Sequence, residues 1–588
     1  MKKLFFINVV VLVGIFLYLD MRYNTTQGSQ QELTTVEDFA LLDHEGKHHE
    51  LYKYKHFPAV VLFSHGVGCP IVRHSLLSLQ DLQKKYPQVA FLMLNANPQD
   101  NREDIRQEMQ KFQSTIPVLK DPTQLIAQEL KITRTGEALV IDPQTWEIVY
   151  RGPISDRLGY ETQKVGKVQN FVNTALHALL NKQKIDIVPT EVKGCAINMQ
   201  DNLSIKSQKI SYTKDIVPIL KNKCLECHQN NGIGPWAMTS YKKIKGWSEM
   251  IKEVVLTKRM PPWTADAHYG KFSNDTSLSV QEMRTLVHWI NSGSPVDGNE
   301  DPLVKLHSKV AKQDWREGEP DVLLKLKPQK VPSTGVMDYI RYKEQVPFEE
   351  DTWIRGVDIR PGEREVMHHM IIYIYPPKDP NMDEKKQKKH KIYLCGYAPG
   401  SGADMFPENT GVLVKKGSKF EFELHYTTSG RSVVDHSQIA FYLHKEKPQR
   451  EFKVGAAYDV KIRIPANDPN HEVVASHTFK RDVTLYGLSP HMHYRGKSMT
   501  FTAIYPDKSQ EILLAVPNYR FDWQTGYTLS QPKTIPKGTK LVCSGAFDNS
   551  KYNEYNPDPE KEVRWGEQSW EEMYIGFFLY SPNEVSHR

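Results

Sequence analysis

Cysteine is scarce in this chain. Cys69, Cys195, Cys224, Cys227, Cys395 and Cys543 are spread over 588 residues, which excludes a dense disulfide framework and leaves room for one or two bridges. An excess of one charge sign is missing as well. The 76 basic and 70 acidic side chains leave a net charge of +6, and no long arginine/lysine block offers a footprint for nucleic acid. The densest basic run, Lys385-Lys386-Gln387-Lys388-Lys389-His390-Lys391, reads as a solvated loop. Long apolar runs are absent beyond the first twenty residues. The single one, Leu4 to Leu19, follows Met1-Lys2-Lys3 and is interrupted only by Asn8 and Gly14. That is the composition of a secretory signal or a short signal anchor. Tyr18-Leu19-Asp20-Met21-Arg22 is too bulky for a small-x-small cleavage site, so an uncleaved anchor over 1–22 is favoured, with 23–35 as a polar tether. The lysines then stay cytoplasmic and the rest is exported.

What is present is the composition of ordinary globular protein, 39% apolar and 25% charged, in a chain too long for one core. From Val36 onward strand and helix patterns alternate. The apolar run Ala59 to Phe63 leads through Ser64-His65-Gly66-Val67-Gly68-Cys69-Pro70 into a helix, Ser75 to Tyr86. A strand over 90–94, a helix over 101–112 and strands over 137–141 and 146–151 follow. This alternation predicts a layered α/β domain over 36–185. A cysteine at a helix N-terminus has its thiolate favoured by the helix dipole. Cys69 therefore reads as a redox thiol, with Cys195 as a distant resolving residue, or as an inert thiol on a retained scaffold.

After a linker, 186–205, comes the strongest short motif, Cys224-Leu225-Glu226-Cys227-His228. C-x-x-C-H is the attachment sequence of c-type haem, with two thioethers to the porphyrin and His228 on the iron. Half of a zinc site is the rival, but no second C-x-x-C follows. A helix over 212–223 precedes the motif. Another, opened by the capping box Ser279-Val280-Gln281-Glu282, closes a small all-α domain over 206–300. Met260, held before Pro261-Pro262-Trp263, is the favoured sixth ligand, with Met238 next.

A second linker, 301–320, gives way to short alternating strands with many Gly and Pro turns, an all-β pattern of two sandwiches over 321–455 and 456–588. Ser489-Pro490-His491-Met492-His493 lies between two alternating runs, and residues i and i+2 of a strand share a face. His491 and His493 therefore point the same way. His368 and His369 are adjacent in Met367-His368-His369-Met370, so joint ligation by both requires a bulge or a sharp twist. His425 stands on the polar face of Phe420-Glu421-Phe422-Glu423-Leu424-His425-Tyr426. Met573 enters an apolar strand in Glu571-Glu572-Met573-Tyr574-Ile575.

Three resemblances follow from these residues. The strand, Cys-Pro turn and helix, with the ending Ala138-Leu139-Val140-Ile141-Asp142-Pro143, resemble the thioredoxin/peroxiredoxin superfamily, although Val72 and Gly136 stand where that family commonly has its second cysteine and a proline. The segment around Cys224-Cys227-His228 resembles a small class I cytochrome c. The order His-His-Met, His-Tyr, His-x-His, Glu-Met resembles the copper type II ascorbate-dependent monooxygenases, such as the peptidylglycine and dopamine β enzymes. This last resemblance implies two jelly-roll-like copper domains. One copper would be held by His368, His369 and His425, and another, the O2-binding and catalytic one, by His491, His493 and Met573. Imidazoles with a thioether and no carboxylate suit copper cycling. In the peptide-hydroxylating branch an arginine before the H-x-H and an Asn and Tyr after the methionine bind the substrate carboxylate. Here those positions are Ser489, Ile575 and Phe577, which points to an apolar or neutral substrate.

The resulting expectation is a multidomain oxidoreductase anchored in a bacterial inner membrane, with its domains in the periplasm. It would hydroxylate a C–H bond of a small substrate with O2, using two copper ions and electrons from an external donor relayed by one covalent c-type haem. A non-catalytic electron-transfer or copper-handling protein of the cell envelope is the alternative.

Overall fold

The structure, a computed structural model, describes residues 35–588 except 160–161, 189, 200–208, 231, 233, 309–314, 316, 379–382, 384–390, 398–403 and 584–588. The expected anchor, nearly all of the tether and most of the basic run at 385–391 lie outside the described residues. Among the described residues no helix is long and apolar enough to cross a membrane. The chain divides into two compact units, Met1–Glu37 with Tyr54–Met199, and Asp38–Lys53 with Gln200–Arg588.

In the first unit the strands Val60–His65, Ala90–Asn95 and Val118–Lys120 run parallel, joined by the helices Pro70–Lys85 and Arg102–Lys111. Ala138–Asp142 adds antiparallel to Val60–His65 on its other side, and Glu147–Gly152 pairs with it in turn. The central strands are buried on both faces, which is why they read as unbroken apolar runs rather than alternating ones. Their core takes in Val61, Phe63, Met93 and Val140, with Leu76 and Leu79 of the first helix and Val172 and Leu176 of the last one, Phe171–Leu180. The first helix begins at Pro70, earlier than the expected Ser75, because proline suits the first helical position. This is a thioredoxin-like α/β fold. Residues 186–199, which read as linker, belong to this unit.

The second unit's main segment, from residue 200 on, begins with helices among its described residues. A π-helical turn, Tyr212–Ile216, runs into Val217–Lys223, followed by Tyr241–Gly246, Ser248–Leu256 and Val280–Asn291. Ser279 and Glu282 form the expected reciprocal capping box. Trp289 is fully buried, stacks at 5.9 Å on Tyr212 and donates its indole N–H to the Pro295 carbonyl at 2.8 Å. It ties the closing helix to the opening turn.

The remainder is all-β. One four-stranded sheet orders Ile340–Gln345, Lys419–Tyr426, Met367–Tyr375 and Ile392–Tyr397, and a second sheet is built around Thr352–Arg360. The two share a core in which Met370, Ile372 and Phe422 meet Ile354, Val357 and Phe441. A second pair of four-stranded sheets follows. Lys453–Tyr458, Ile575–Pro582, Val483–His491 and Tyr527–Ile535 form one, and His471–Thr478, Lys540–Phe547, Gly496–Ile504 and Gln510–Val516 the other. Leu485, Leu488 and Phe578 pack there against Phe501 and Leu541. Cys395 is buried in the first of these cores and Cys543 in the second, both as free thiols, so these two do not form a bridge.

The helical segment is fastened to the second sandwich. Asp266 N–H donates to Ala515 O at 2.8 Å, Asn274 exchanges hydrogen bonds with Gly526 O and Thr528 N–H, and Trp263 meets Tyr527 edge-on at 4.9 Å. Removing the Trp289 side chain should therefore be felt locally first. Trp289→Ala is expected to cost about 3–5 kcal/mol, and Trp289→Phe roughly 1–2 kcal/mol through loss of the indole hydrogen bond and some volume. Hydrogen exchange of the 212–223 and 280–291 peptides, compared with that of the β-sandwiches, checks both values.

Candidate functional site

The first histidine cluster is made by strand register. His369 lies directly opposite His425 on the neighbouring antiparallel strand, and the ladder is broken between Met367 and His369. His368 is the extra residue of that bulge, which turns it toward the side from which an unbroken strand would exclude it. The imidazole centroids of His368, His369 and His425 lie 4.9–5.3 Å apart. Each ring offers a nitrogen, and the three nitrogens fall within 4.8 Å of one another. Two of them, His368 Nδ1 and His369 Nδ1, are 3.0 Å apart. His425 Nδ1 is buried with no hydrogen-bond partner. A buried ring nitrogen left this way is costly unless something binds it. Burial holds all three imidazoles below their ordinary pKa, His425 at about 4, so they are neutral with lone pairs available at physiological pH. Tyr339 stacks on His425 at 4.5 Å and 10° and fixes the ring plane.

The second cluster sits where the strand Val483–His491 ends. His491 and His493 have centroids 5.3 Å apart at 90°. His491 Nδ1 is 3.0 Å from Gln524 Oε1, and His493 Nδ1 is 3.1 Å from the Glu571 carbonyl. Both acceptors require an N–H at Nδ1, which leaves Nε2 of each ring as the lone-pair nitrogen. Burial depresses these two as well, to about 3 and about 4. The last strand supplies the rest. Its register pairs Ser489 with Phe577 and His491 with Ile575 and ends there, two residues after Met573 in the chain. Glu572, fully buried, accepts the backbone N–H groups of His493 at 2.8 Å and Arg495 at 2.7 Å. Arg495 is itself buried and bonds Asn549 and the Trp570 carbonyl. The two clusters are neighbours: the Phe521 ring lies 5.6 Å from His368 and 5.8 Å from His493.

The C-x-x-C-H motif forms a tight turn after the helix Val217–Lys223. The Cys227 and His228 N–H groups both return to the Cys224 carbonyl. His228 Nδ1 donates to the Trp236 carbonyl at 2.9 Å, leaving Nε2 as the lone-pair nitrogen. A Cβ at Gly234 would come within 2.8 Å of His228 Nδ1, so the loop packs directly on the ring. Met260 follows the helix Ser248–Leu256 with its N–H on Val254 O, whereas Met238 is buried and its N–H bonds the His228 carbonyl.

In the first unit Cys69 and Cys195 come together, with the two Sγ atoms 2.8 Å apart and Thr135 Oγ1 3.1 Å from Cys69 Sγ. Burial would raise the Cys69 thiol, but hydrogen bonds from Cys195 and Thr135 bring it below its ordinary value. Burial, with Cys69 beside it, pushes Cys195 up to about 11. Beneath the Cys69 loop lies a buried polar network. Asp100 accepts Val67 N–H, Asn95 and Asn97, and Glu108 accepts Gly68 N–H and Arg73 Nε, each at 3.0 Å, with His65 Nε2 3.3 Å away.

Sequence reasoning missed Tyr339, Phe521, Gln524, Glu572, Arg495 and the Asp100–Glu108 network. Each acts through a fold contact that no local pattern marks. The one available signal was a charged pair, Glu571-Glu572, set immediately before an apolar strand.

The first unit thus has a thioredoxin-like α/β architecture. The AhpC/TSA family pattern matches residues 34–157. Among solved structures, a hypothetical protein from Sinorhizobium meliloti is 23% identical, with 29% of this chain and 94% of that one covered and a TM-score of 0.26. An uncharacterized conserved protein from Geobacillus kaustophilus is 24% identical over 29% and 92%, also with a TM-score of 0.26. A putative thiol:disulfide interchange protein DsbE from Chlorobium tepidum is 17% identical over 20% and 83%, with a TM-score of 0.19. No curated protein matches the chain.

Glu108 gives the site a pH dependence. Burial raises its pKa, but His65, the Gly68 N–H and Arg73 together bring it down from 4.5 to about 2. A carboxylate depressed in the folded state stabilises fully above its unfolded pKa and ceases to do so as pH falls toward the folded value. About 2 kcal/mol of local stability should therefore disappear between pH 5 and pH 3. Hydrogen exchange of the 65–69 loop, corrected for intrinsic rate, should show this loss in the wild type. In Glu108→Gln protection should be lower at pH 5 and change less below it.

Proposed function

We propose that the second unit is an O2-dependent two-copper monooxygenase that hydroxylates a C–H bond of a small apolar or neutral substrate. The observation that carries the reading is the convergence of His368, His369 and His425 at a bulge, with His425 Nδ1 buried and unpartnered among the described residues. Three neutral imidazoles with no carboxylate among them suit copper better than calcium, magnesium or an iron facial triad. His491 and His493, each with Nδ1 committed and Nε2 left over, fit a second copper completed by the Met573 thioether. The copper ions would supply O2 binding and one-electron chemistry. The Cys224, Cys227 and His228 turn fits a covalent haem that would supply single electrons from a donor outside the chain, with Met260 the favoured sixth ligand. Attachment of such a haem accords with export from the cytoplasm.

The chain's own residues set what enters. Ser489, Ile575 and Phe577 line up across two paired strands beside His491, and the Phe577 ring is 6.1 Å from the His491 ring. No cationic side chain stands at these three positions to hold a carboxylate. Gln524 and the Glu571 carbonyl orient the two imidazoles, and Glu572 clamps the backbone that carries them.

Elemental and haemochrome analysis of the full-length protein, purified from a copper- and haem-replete host, tests the reading. Two copper per haem are expected. His425→Ala should lose one copper equivalent, and Met573→Ala should keep most copper while losing O2 uptake coupled to haem oxidation. Copper retained with O2 uptake indifferent to Met573 would leave a copper-handling or electron-transfer protein instead, and absence of copper would sink the proposal.

A further inference from the structure

Residues 519–527 touch both histidine clusters and the helical segment. Tyr519 Oη accepts the Met492 N–H at 3.2 Å and donates to the Met492 carbonyl at 2.8 Å, between His491 and His493. The Phe521 ring lies against His368 and His493. Gln524 accepts the His491 Nδ1–H at 3.0 Å from a backbone φ of 42°. A side chain is held in that left-handed region only by its surroundings, and such positions cluster at functional sites. Tyr527 closes the segment. Its ring meets Trp263 edge-on at 4.9 Å and Phe272 at 5.5 Å, and its hydroxyl is 3.2 Å from Thr264 Oγ1.

The same residues are tied back to the C-x-x-C-H turn. Lys223, beside Cys224, donates to the Asp275 carbonyl at 3.4 Å. Asn274, the preceding residue, donates to Gly526 O at 2.8 Å and accepts the Thr528 N–H at 3.0 Å. A second connection follows Met260. Pro262 and Thr264 border a narrow gap with Pro490 and Trp523, the neighbours of His491 and Gln524. Both connections arrive at the residues that hold His491. His368 meets the segment by ring contact with Phe521, His491 by a hydrogen bond. Coupling between distant sites is carried by contiguous packed and hydrogen-bonded elements of this kind.

We propose that residues 519–527, braced by Trp263 and Asn274, join the haem-binding turn to the second histidine pair, so that electrons supplied at the turn enter at His491 and His493 and not at the His368 cluster. This rests on the copper and haem assignment above and adds to it the point of entry. Gln524 is then a positioning residue twice over, fixing the His491 ring and linking it to the segment that Trp263 and Asn274 hold. The step is one electron. Iron(II) of a haem on Cys224, Cys227 and His228 becomes iron(III), and copper(II) on His491 and His493 becomes copper(I). No bond forms or breaks, and His491 keeps the Nδ1 proton that Gln524 accepts.

The test uses the full chain loaded with haem and copper, flash-reduced at the haem by a photosensitiser under argon. Haem absorbance then reports reoxidation by copper with O2 absent. This phase should persist in His425→Ala and vanish in His491→Ala, whose remaining copper EPR signal shows that the first site is intact. Trp263→Leu and Asn274→Ala should each slow it several-fold. In the same two variants, without any transfer step, hydrogen exchange of the 519–527 peptide should rise roughly tenfold, as for a locally opened segment. Trp263→Phe, which keeps a ring against Tyr527, should restore both. A protein that binds neither haem nor copper overturns the inference together with the proposed function. With both bound, reoxidation that survives His491→Ala or is abolished by His425→Ala overturns the inference alone. Unchanged reoxidation and exchange in Trp263→Leu do the same.

Discussion

A β-strand sends neighbouring side chains to opposite faces, and the first histidine cluster exists because the chain breaks that rule once. Between Met367 and His369 one residue is left out of the pairing with Lys419–Tyr426. Without the bulge His369 and His425 would still face each other, since they are paired in register, but His368 would point into the sandwich core on the face of Met370 and Ile372, both buried there. Two imidazoles would remain where three now meet. The neighbouring interactions serve the same geometry. Tyr339 stacks on one imidazole, and Phe521 places its ring against His368 on one side and His493 on the other.

The second cluster depends on register of another kind. The strand that ends at His491 pairs with the last strand of the chain, so segments some eighty residues apart in sequence are brought side by side by an antiparallel ladder. The ladder also determines which residues cannot move independently. Glu572 takes the backbone N–H groups on either side of Tyr494, and Arg495 fixes Asn549 and the Trp570 carbonyl. A buried carboxylate and a buried guanidinium are expensive on their own. Here their hydrogen bonds fasten the H-x-H turn to the residue preceding Met573, a rigid support of the type metal ligands need to keep their orientation.

Much of this was legible in the sequence and the remainder was not, for identifiable reasons. The α/β alternation, the capping box at Ser279 and the all-β change beyond residue 320 are local patterns, and the structure contains all three. The need for a bulge at His368 followed from strand geometry alone. The position of Cys195 over Cys69 was readable only as an option, because the strand that carries it forms by pairing with Arg134–Thr135, about sixty residues away, and residues 186–199 have the composition of a linker. Tyr339, Phe521 and Gln524 escaped for the same reason. An aromatic or amide side chain in a loop carries no sign of the imidazole it will touch. The helix starting at Pro70 rather than Ser75 is a smaller case, in which proline at the first helical position outweighed the apolar periodicity that begins later.

The Ser489–Phe577 and His491–Ile575 pairs constrain specificity in a way that follows from their chemistry. A site that recognises a carboxylate with a buried cation rejects ligands lacking that group strongly, because the cation is then left unpaired. With Ser489, Ile575 and Phe577 in those positions no such penalty operates beside His491. Under the proposed function, discrimination there would come from shape and apolar contact, and a methylene more or less in an apolar pocket changes binding by only about 1–3 kcal/mol. On the proposed reading the site would suit a narrow range of sizes within an apolar class better than one uniquely defined polar molecule. On that reading any further strictness would come from other side chains near the two clusters, and Phe521, half-buried with its ring against both His368 and His493, is one that would bear on both.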